Sequence, residues 1–195
     1  EVFRQREAQA EAAADLNLVA ANADAIFNDG FSDVGGNPEG DITVVEFMDY
    51  RCGYCKRAHT AVEELIKADG NIRFIVKEFP VLGEASEMAS AFAVAVKQLH
   101  GDAAYKATHD TLLTFNGDIN EKTLRRLATI LGHDDQAVLD QMNQESVMKE
   151  IAETRLLAAR LQINGTPTFV FDDELVRGAV SLETMTSLVA AKRQD

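Results

Sequence analysis

The sequence predicts an α/β protein whose sheet is split by an all-helical insertion and preceded by a helical extension. Two segments dominated by β-branched and aromatic residues, 42–48 and 72–80, flank a stretch with helical periodicity. Residues 84–161 contain no convincing strand pattern, and strand-like residues return at 166–178. The extension and its linker are predicted at residues 1–34, and the first part of the sheet domain at 35–83. The insertion is predicted at residues 84–163, and the second part of the sheet domain at 164–195.

The first 29 residues are rich in Ala, Glu, Gln and Asn and predict a helix with a narrow apolar stripe. The stripe consists of four residues spaced by four and three positions: Leu16, Ala20, Ala23 and Phe27. Such a stripe fits a helix docked on its own domain as well as a helix that joins copies of the chain. Several glycines and Pro38 then predict a linker over residues 30–41.

The next elements predict a strand–helix–strand unit at residues 42–48, 53–68 and 72–80. The helix has one apolar face, and Gly70 is suited to the left-handed conformation that ends a helix. Because a helix of this length can cross the sheet, we expect the two strands to be parallel.

Five helices are predicted in the insertion, since its apolar residues recur with helical period: residues 87–100, 102–115, 121–131, 135–142 and 145–161. Asn120 and Asp134 are candidate N-cap residues, and Gly132 follows the third of these helices. After the insertion, residues 166–171 and 174–178 predict a hairpin. Ser181 is suited to cap a last helix.

The composition argues against two classes of partner. The chain has 19 basic and 32 acidic residues and a formal net charge of -13, so electrostatic binding to nucleic acid or to an anionic membrane is not expected. No apolar run approaches the ~18 residues that a membrane span requires. The chain begins at Glu1 without a signal-peptide pattern, which indicates a removed leader or a trimmed chain.

Both cysteines lie in the segment "DYRCGYCKRAH", at the predicted junction between a strand and a helix. Their spacing places both side chains on one helix face. Cys52 is expected at the helix N terminus, where unpaired N–H groups and the helix dipole favour an anion, and Cys55 one turn deeper. This arrangement matters because the thiolate is the reactive form of cysteine.

Three uses of this cysteine pair are open. A structural disulfide across so short a loop contributes little stability. A structural zinc site needs four ligands, and the sequence offers no second cysteine pair and no closely spaced histidines among its four: His59, His100, His109 and His133. Redox exchange requires only the two cysteines, and Cys-x-x-Cys beside a βαβ pattern favours it. We therefore expect no metal and no cofactor beyond a redox-active disulfide between Cys52 and Cys55.

Glu46 lies six residues before Cys52, among apolar neighbours on the predicted strand. If it is buried, the pKa of its carboxyl rises, and the group then suits a base for the Cys55 thiol. Exposure on the sheet surface is the alternative, because alternation alone does not fix the face. Lys77 on the second strand is a candidate charge partner for Glu46 or an exposed edge lysine.

A resemblance to a known family rests on three motifs: "EFMDYRCGYCKRAH", "KEFPVLG" and "GTPTFVF". With the order of the predicted elements, they resemble the DsbA-like thiol–disulfide oxidoreductases of the thioredoxin superfamily over residues 40–195. The resemblance implies a thioredoxin fold around the helical insertion. It also implies that Cys52 exchanges with the substrate, that Cys55 resolves the mixed disulfide, and that Glu46 is the buried acid of the site.

The same resemblance implies a substrate surface. Thr166 and Pro167 match the loop whose proline is cis and lies against the cysteines, and this loop pairs with an extended peptide. With it, Gly53 and Tyr54 between the cysteines are expected to contact the substrate. Family members with this site act as disulfide oxidases on unfolded or partly folded exported proteins that contain cysteine. A periplasmic or otherwise exported location and a redox partner in the membrane are implied with it.

Two features differ from the best-known members of the family. Gly53 and Tyr54 replace a Pro-His pair, and without a positive imidazole we expect a milder oxidant. Thr166 before the proline and the extension over residues 1–29 resemble isomerase-type and oligomeric members. A disulfide isomerase or reductase that acts as a homo-oligomer through residues 1–29 is therefore an alternative, and a chaperone-like module that binds unfolded chains is another.

Overall fold

A computed structural model of the chain describes residues 2–194, and these residues form one mixed sheet surrounded by helices. The helices are α1 Val2–Ala21, α2 Ala23–Phe27, α3 Gly53–Asp69, α4 Glu84–His100, α5 Asp102–Thr114, α6 Glu121–Ile130, α7 Asp135–Met142, α8 Glu145–Arg160 and α9 Leu182–Lys192. The strands are β1 Asp33–Gly36, β2 Ile42–Met48, β3 Ile72–Glu78, β4 Thr168–Phe171 and β5 Glu174–Arg177. The predicted α/β class with a helical insertion is confirmed.

The sheet has the strand order β1-β3-β2-β4-β5. The central strands β2 and β3 are parallel and joined by α3, as the predicted crossover requires, while the other neighbours are antiparallel. In this register Glu46 lies opposite Val76 on β3 and opposite Phe169 on β4. The central strand therefore carries Glu46 in the middle of the sheet and ends at the turn that leads to the cysteines.

Alternation along β2 divides the core into two clusters. Val44 and Met48 belong to a large cluster that includes side chains of α3, α9 and the insertion. Val45 and Phe47 belong to a smaller cluster on the other side, with side chains of α1, α2 and α8. Both faces of the central strands are thus covered, and each fully buried aliphatic or aromatic side chain contributes about 1.5–3 kcal/mol of burial free energy.

The helix ends form as the sequence predicts. Gly70 adopts the left-handed conformation (φ 73°) and its N–H donates to the Ile66 carbonyl at the end of α3. The side chains of Asn120, Asp134 and Ser181 each accept a hydrogen bond from the N–H three residues later, at the start of α6, α7 and α9.

The prediction of a linker is wrong for residues 33–36, which form the edge strand β1 paired antiparallel to β3. Four residues that include two glycines have little intrinsic strand propensity, so this strand exists because β3 offers it a partner. Gly36 has a φ of 66°, and a Cβ there would overlap the carbonyl oxygen of Ile72. The predicted boundary between residues 34 and 35 therefore lies inside a strand.

The helical extension is partly docked. Val19 of α1 and Ile26 of α2 are buried in the smaller cluster, and Asp15 forms a 2.6 Å ion pair with Arg177 of β5. Residues 3–14 of α1 are exposed. The predicted apolar stripe is wrong, since Leu16 is 42% exposed. The reason is that the helix is interrupted at Asn22, so its periodicity does not continue into α2.

Candidate active site

Cys52 is the N-cap residue of α3, with extended backbone dihedrals (φ −76°, ψ 116°). Its N–H donates to the Asp49 carbonyl at 3.1 Å, and its own carbonyl accepts from the Lys56 N–H at 3.1 Å. The turn after β2 therefore holds the cysteine where the free N–H groups of the first helical turn lie. The residue is 7% exposed, so a small part of it is open to solvent.

The thiol of Cys52 lies against the loop that precedes β4. Its Sγ donates to the carbonyl oxygen of Thr166 at 3.3 Å. The Thr166–Pro167 peptide bond is cis, and the carbonyl of Pro167 accepts from the Gly178 N–H at 2.9 Å, which fastens the loop to the end of β5. The fold thus brings together two of the sequence motifs that lie more than a hundred residues apart.

Cys55 lies inside the first turn of α3 and is fully buried. Burial raises the pKa of its thiol above the usual range, and the nearby Glu46 carboxylate raises it further. Both cysteines are free thiols in this structure. The pair therefore consists of a cysteine at the helix start that keeps a small exposed fraction and a cysteine that lies wholly in the core.

Glu46 faces α3 from the middle of β2 and is 3% exposed. Burial raises the pKa of its carboxyl to about 8, and the negative charge of Glu63 contributes to the rise. The buried position, one of the two that the sequence left open, is the one that the fold adopts. A carboxyl with this pKa next to Cys55 can hold or release a proton near neutral pH.

Neither predicted role of Lys77 is correct. Its ammonium group is buried on the opposite face of the sheet, where it donates to Asp29 at 2.5 Å and to the Ala25 carbonyl at 3.0 Å. The parallel register places Lys77 opposite Phe47, one position from Glu46, so its side chain points away from that carboxyl. Glu46 therefore has no lysine partner from this strand.

Asp49 organises the surface beside Cys52, and sequence reasoning missed it. Its buried carboxylate accepts hydrogen bonds from the N–H groups of Arg51, Val81 and Leu82 and from the Ser86 hydroxyl, at 2.7–3.1 Å. These bonds fix the loop after β3 to the turn that carries Cys52. An aspartate at the end of a strand and just before a helix is the sequence signal for such a turn.

Exposed apolar side chains lie around the turn. Tyr54 is 61% exposed and stacks with the guanidinium of Arg57 at 4.4 Å, while Val81 and Leu82 are 42% and 55% exposed. Large apolar side chains at the surface often mark a contact region for another molecule. Gly53, between the cysteines, is exposed as well.

The insertion is attached to the start of α3 through backbone carbonyls of the loop between α5 and α6. Arg51 donates to the Gly117 carbonyl at 2.9 Å, and the Lys56 ammonium donates to the Phe115 carbonyl. The helical block therefore lies directly beside the cysteine turn.

A buried polar cluster connects the turn to the insertion. Glu78, at the end of β3, accepts hydrogen bonds from the hydroxyls of Tyr50 (2.7 Å), Tyr105 (2.6 Å) and Ser90 (2.7 Å). Burial raises the pKa of Glu78 to about 7, against the lowering effect of these donors. The oxygen of Tyr50 also lies 3.0 Å from Nδ1 of His109. Sequence reasoning missed the cluster, although Glu78 belongs to the "KEFPVLG" motif.

A βαβ unit with a dithiol at the start of its helix, faced by a cis-proline loop, defines a thioredoxin-like thiol–disulfide oxidoreductase. The family model described as the DSBA-like thioredoxin domain matches residues 43–190. The chain belongs to this family, and its thioredoxin fold with a helical insertion is the fold that the sequence predicted.

Solved structures support the assignment. A thioredoxin-like oxidoreductase from Silicibacter pomeroyi is 41% identical, with a TM-score of 0.83 over 88% of this chain and 98% of that chain. The thiol-disulfide exchange protein alpha-DsbA2 from Wolbachia pipientis is 28% identical, with a TM-score of 0.86 over 93% of this chain and 97% of that chain.

Curated relatives are longer proteins. The Na(+)/H(+) antiporter NhaA 1 of Salinispora arenicola is 29% identical over 158 residues, which are 81% of this chain and 24% of that protein. This chain thus spans about a quarter of the length of the curated relatives that it matches. Among the described residues, the helices lack the combination of length and apolar character that crossing a bilayer demands.

Proposed function

We propose that the chain is a disulfide oxidase that donates a Cys52–Cys55 disulfide to cysteine-containing proteins. The observation that carries this proposal is the asymmetry of the pair. Cys52 lies at a helix N terminus, keeps 7% of its surface exposed and contacts the Thr166 carbonyl, whereas Cys55 has no exposed surface. An N-terminal position stabilises the thiolate that is released when the disulfide is reduced, and a stable reduced form makes a dithiol an oxidant.

In the first step a substrate thiolate attacks the sulfur of Cys52 in the oxidised enzyme. The Cys52–Cys55 bond breaks, a mixed disulfide forms between the substrate and Cys52, and Cys55 leaves as a thiolate. Because Cys55 is buried, this thiolate takes up a proton, and Glu46, whose pKa is about 8, supplies it.

In the second step another thiolate of the substrate attacks the substrate sulfur of the mixed disulfide. The substrate disulfide forms and Cys52 leaves as a thiolate at the start of α3. The substrate has lost two electrons and the enzyme has gained them, so each turnover ends with a reduced Cys52 and Cys55. A second redox protein, which we place in the membrane, must reoxidise the pair.

The substrate class follows from the surface around Cys52. Tyr54, Val81 and Leu82 offer apolar contacts, and the edge at Thr166 offers backbone groups to an extended peptide. Such a surface suits unfolded or partly folded chains, in which apolar residues and cysteines are accessible. Protein disulfides persist in oxidising compartments, so we place the enzyme with exported proteins, in the periplasm or its equivalent.

Trapping of the mixed disulfide tests this proposal. The Cys55→Ser variant, activated as a mixed disulfide with glutathione and offered a reduced peptide with one cysteine, is expected to retain the peptide on Cys52. The Cys52→Ser variant is expected to form no such adduct and to lose oxidation of a two-cysteine peptide. Full oxidase activity of the Cys52→Ser variant, measured by peptide mass, contradicts the proposal.

An isomerase or reductase that acts as an oligomer is a second candidate, favoured by α1. Residues 3–14 of this helix are exposed, and Phe3 is 80% exposed, so the helix offers a surface for another copy. Light scattering and a glutathione redox titration distinguish the two. A monomer with an oxidising potential supports the oxidase, and an oligomer through residues 1–29 with a strongly reducing potential supports the isomerase.

A further inference from the structure

A second cluster of chemically active side chains lies where α3 contacts α5. The cluster consists of His59 of α3 and of His109 and Asp110 of α5. One ring nitrogen of each histidine and one carboxylate oxygen of Asp110 lie within 4.8 Å of one another. Nε2 of His59 is 3.4 Å from Oδ1 of Asp110. Because the two histidines are fifty positions apart, the sequence did not reveal this group.

Two imidazoles and one carboxylate are a donor set that suits a divalent transition metal, zinc in particular. Zinc binds such donors at about 2.0–2.1 Å in a tetrahedron, which places the donor atoms about 3.3 Å from one another. The separation of 3.4 Å between His59 and Asp110 matches this requirement. The three donor atoms lie within 4.8 Å of one another, so binding requires the His109 nitrogen to approach the other two donors by at most about 1.5 Å.

The environment of His109 leaves one of its nitrogens free to bind. Tyr50 donates its single hydroxyl hydrogen to Glu78, so its oxygen can only accept from Nδ1 of His109, 3.0 Å away. Nδ1 therefore carries the hydrogen, and Nε2 presents a lone pair. A histidine that is oriented by a hydrogen bond from its other nitrogen is the usual second shell of a zinc ligand.

Lys106 is the local competitor of a metal ion. Its ammonium group donates to both oxygens of Asp110, at 2.6 and 2.7 Å, and to Glu63 at 3.0 Å. The lysine side chain is 43% exposed, so it can release Asp110 and remain paired with Glu63. Binding of a cation must displace this ammonium group from Asp110, which limits the affinity.

We propose that His59, His109 and Asp110 form a binding site for a divalent zinc ion that bridges α3 and α5. The fourth ligand is water, which can reach the site because the side chain of Asp110 is 41% exposed. His59 lies one helical turn after Cys55, so the bound ion fastens the insertion to the helix that carries the cysteines. The site is separate from the cysteine pair and does not depend on the proposed oxidase activity.

Calorimetric titration with zinc chloride tests the proposal in the full chain. Cys52 and Cys55 are both replaced by serine, because a reduced Cys-x-x-Cys pair binds zinc by itself. We expect one ion per chain and a loss of affinity of at least about 10-fold in His59→Gln and in Asp110→Asn. Lys106→Met is expected to bind zinc several-fold more tightly, and Tyr50→Phe more weakly, since it frees Nδ1 of His109 from its partner.

The control is a second pair of histidines, His100 and His133, whose rings stack with centroids 4.3 Å apart. His133→Gln is expected to leave zinc binding unchanged. Cobalt(II) gives an independent readout, because tetrahedral coordination produces strong visible absorption that His59→Gln abolishes. Circular dichroism confirms the fold of each variant. Absence of saturable binding, or affinity that survives both His59→Gln and Asp110→Asn in folded protein, overturns the proposal.

Discussion

The thiol of Cys52 hydrogen-bonds the carbonyl oxygen of Thr166 at 3.3 Å, so the loop before β4 touches the sulfur at the start of α3. The other sulfur has a different environment, because Cys55 is fully buried and lies near Glu46. A reagent or a substrate therefore approaches the pair from the side of Cys52. This asymmetry determines which cysteine reacts first.

The reduced chain is expected to react with iodoacetamide at Cys52 at least about 10-fold faster than at Cys55. The reason is twofold, since Cys55 is inaccessible and burial raises the pKa of its thiol, which leaves little thiolate to react. Peptide mass spectrometry after timed quenching measures both rates. In urea the two rates should converge, and a folded chain that reacts first at Cys55 contradicts the structure.

The raised pKa of Glu46 predicts a specific dependence of stability on pH. The folded value is about 8 and the unfolded value near 4.5, so between these values the folded chain holds a proton that the unfolded chain lacks. The free energy of unfolding therefore falls as the pH rises through this window. Glu46→Gln lacks this pH-dependent loss of stability. Between pH 5 and pH 8.5 the free energy of unfolding of the variant should therefore rise, relative to that of the unmodified chain, by at least about 2 kcal/mol.

Urea unfolding at several pH values measures this gain. Glu78 and Asp33 also have raised pKa values, about 7 and about 6, and keep their own contributions in both proteins. Glu64→Gln provides a control for the loss of one carboxylate from the same part of the fold, because Glu64 is exposed on α3. A parallel curve for Glu46→Gln shows that Glu46 is ionised in the folded state.

The sequence was informative where structure is local. The parallel βαβ unit, the left-handed Gly70 and the caps Asn120, Asp134 and Ser181 each depend on residues within one or two turns of the chain. The spacing of the two cysteines likewise places them at the start of one helix, and Cys52 lies at the N terminus of that helix, as expected.

The errors concern partners that are distant in sequence. β1 forms because β3 has a free edge, and Lys77 is paired with Asp29, which the sequence places in a different segment. Seven donors gather around Asp49 and Glu78. Five of them come from the loop after β3 and from two helices of the insertion, so spacing could not reveal them. Tertiary packing brings these groups together.

Tyr54 is expected to contribute to substrate binding and little to stability. Its ring is 61% exposed and contacts Arg57, so Tyr54→Ser should change the free energy of unfolding by no more than about 0.5 kcal/mol. We expect KM for a reduced peptide to rise about 3- to 10-fold, which corresponds to the loss of one aromatic contact. Leu156→Ser removes a side chain that is 60% exposed on the other face of the sheet and should leave KM unchanged. Equal effects of the two variants contradict the proposed substrate surface.

The buried ion pair between Lys77 and Asp29 predicts that the extension stabilises the sheet domain. The side chain of Lys77 is 1% exposed and that of Asp29 is 11% exposed, and their charged atoms are 2.5 Å apart. Asp29→Ala leaves a buried ammonium group without its counter-charge, which should cost about 3–5 kcal/mol. Adding Lys77→Met removes that charge and should restore most of the loss.

Urea unfolding at pH 7 of the single and double variants measures this coupling. Asp15→Ala provides the control, because it breaks a partly exposed ion pair with Arg177 between the same extension and β5. Such a pair is worth no more than about 1 kcal/mol. If Lys77→Met does not rescue Asp29→Ala, the cost of Asp29→Ala arises from something other than the unpaired charge. Rescue shows that the last residues of the extension are part of the folded domain.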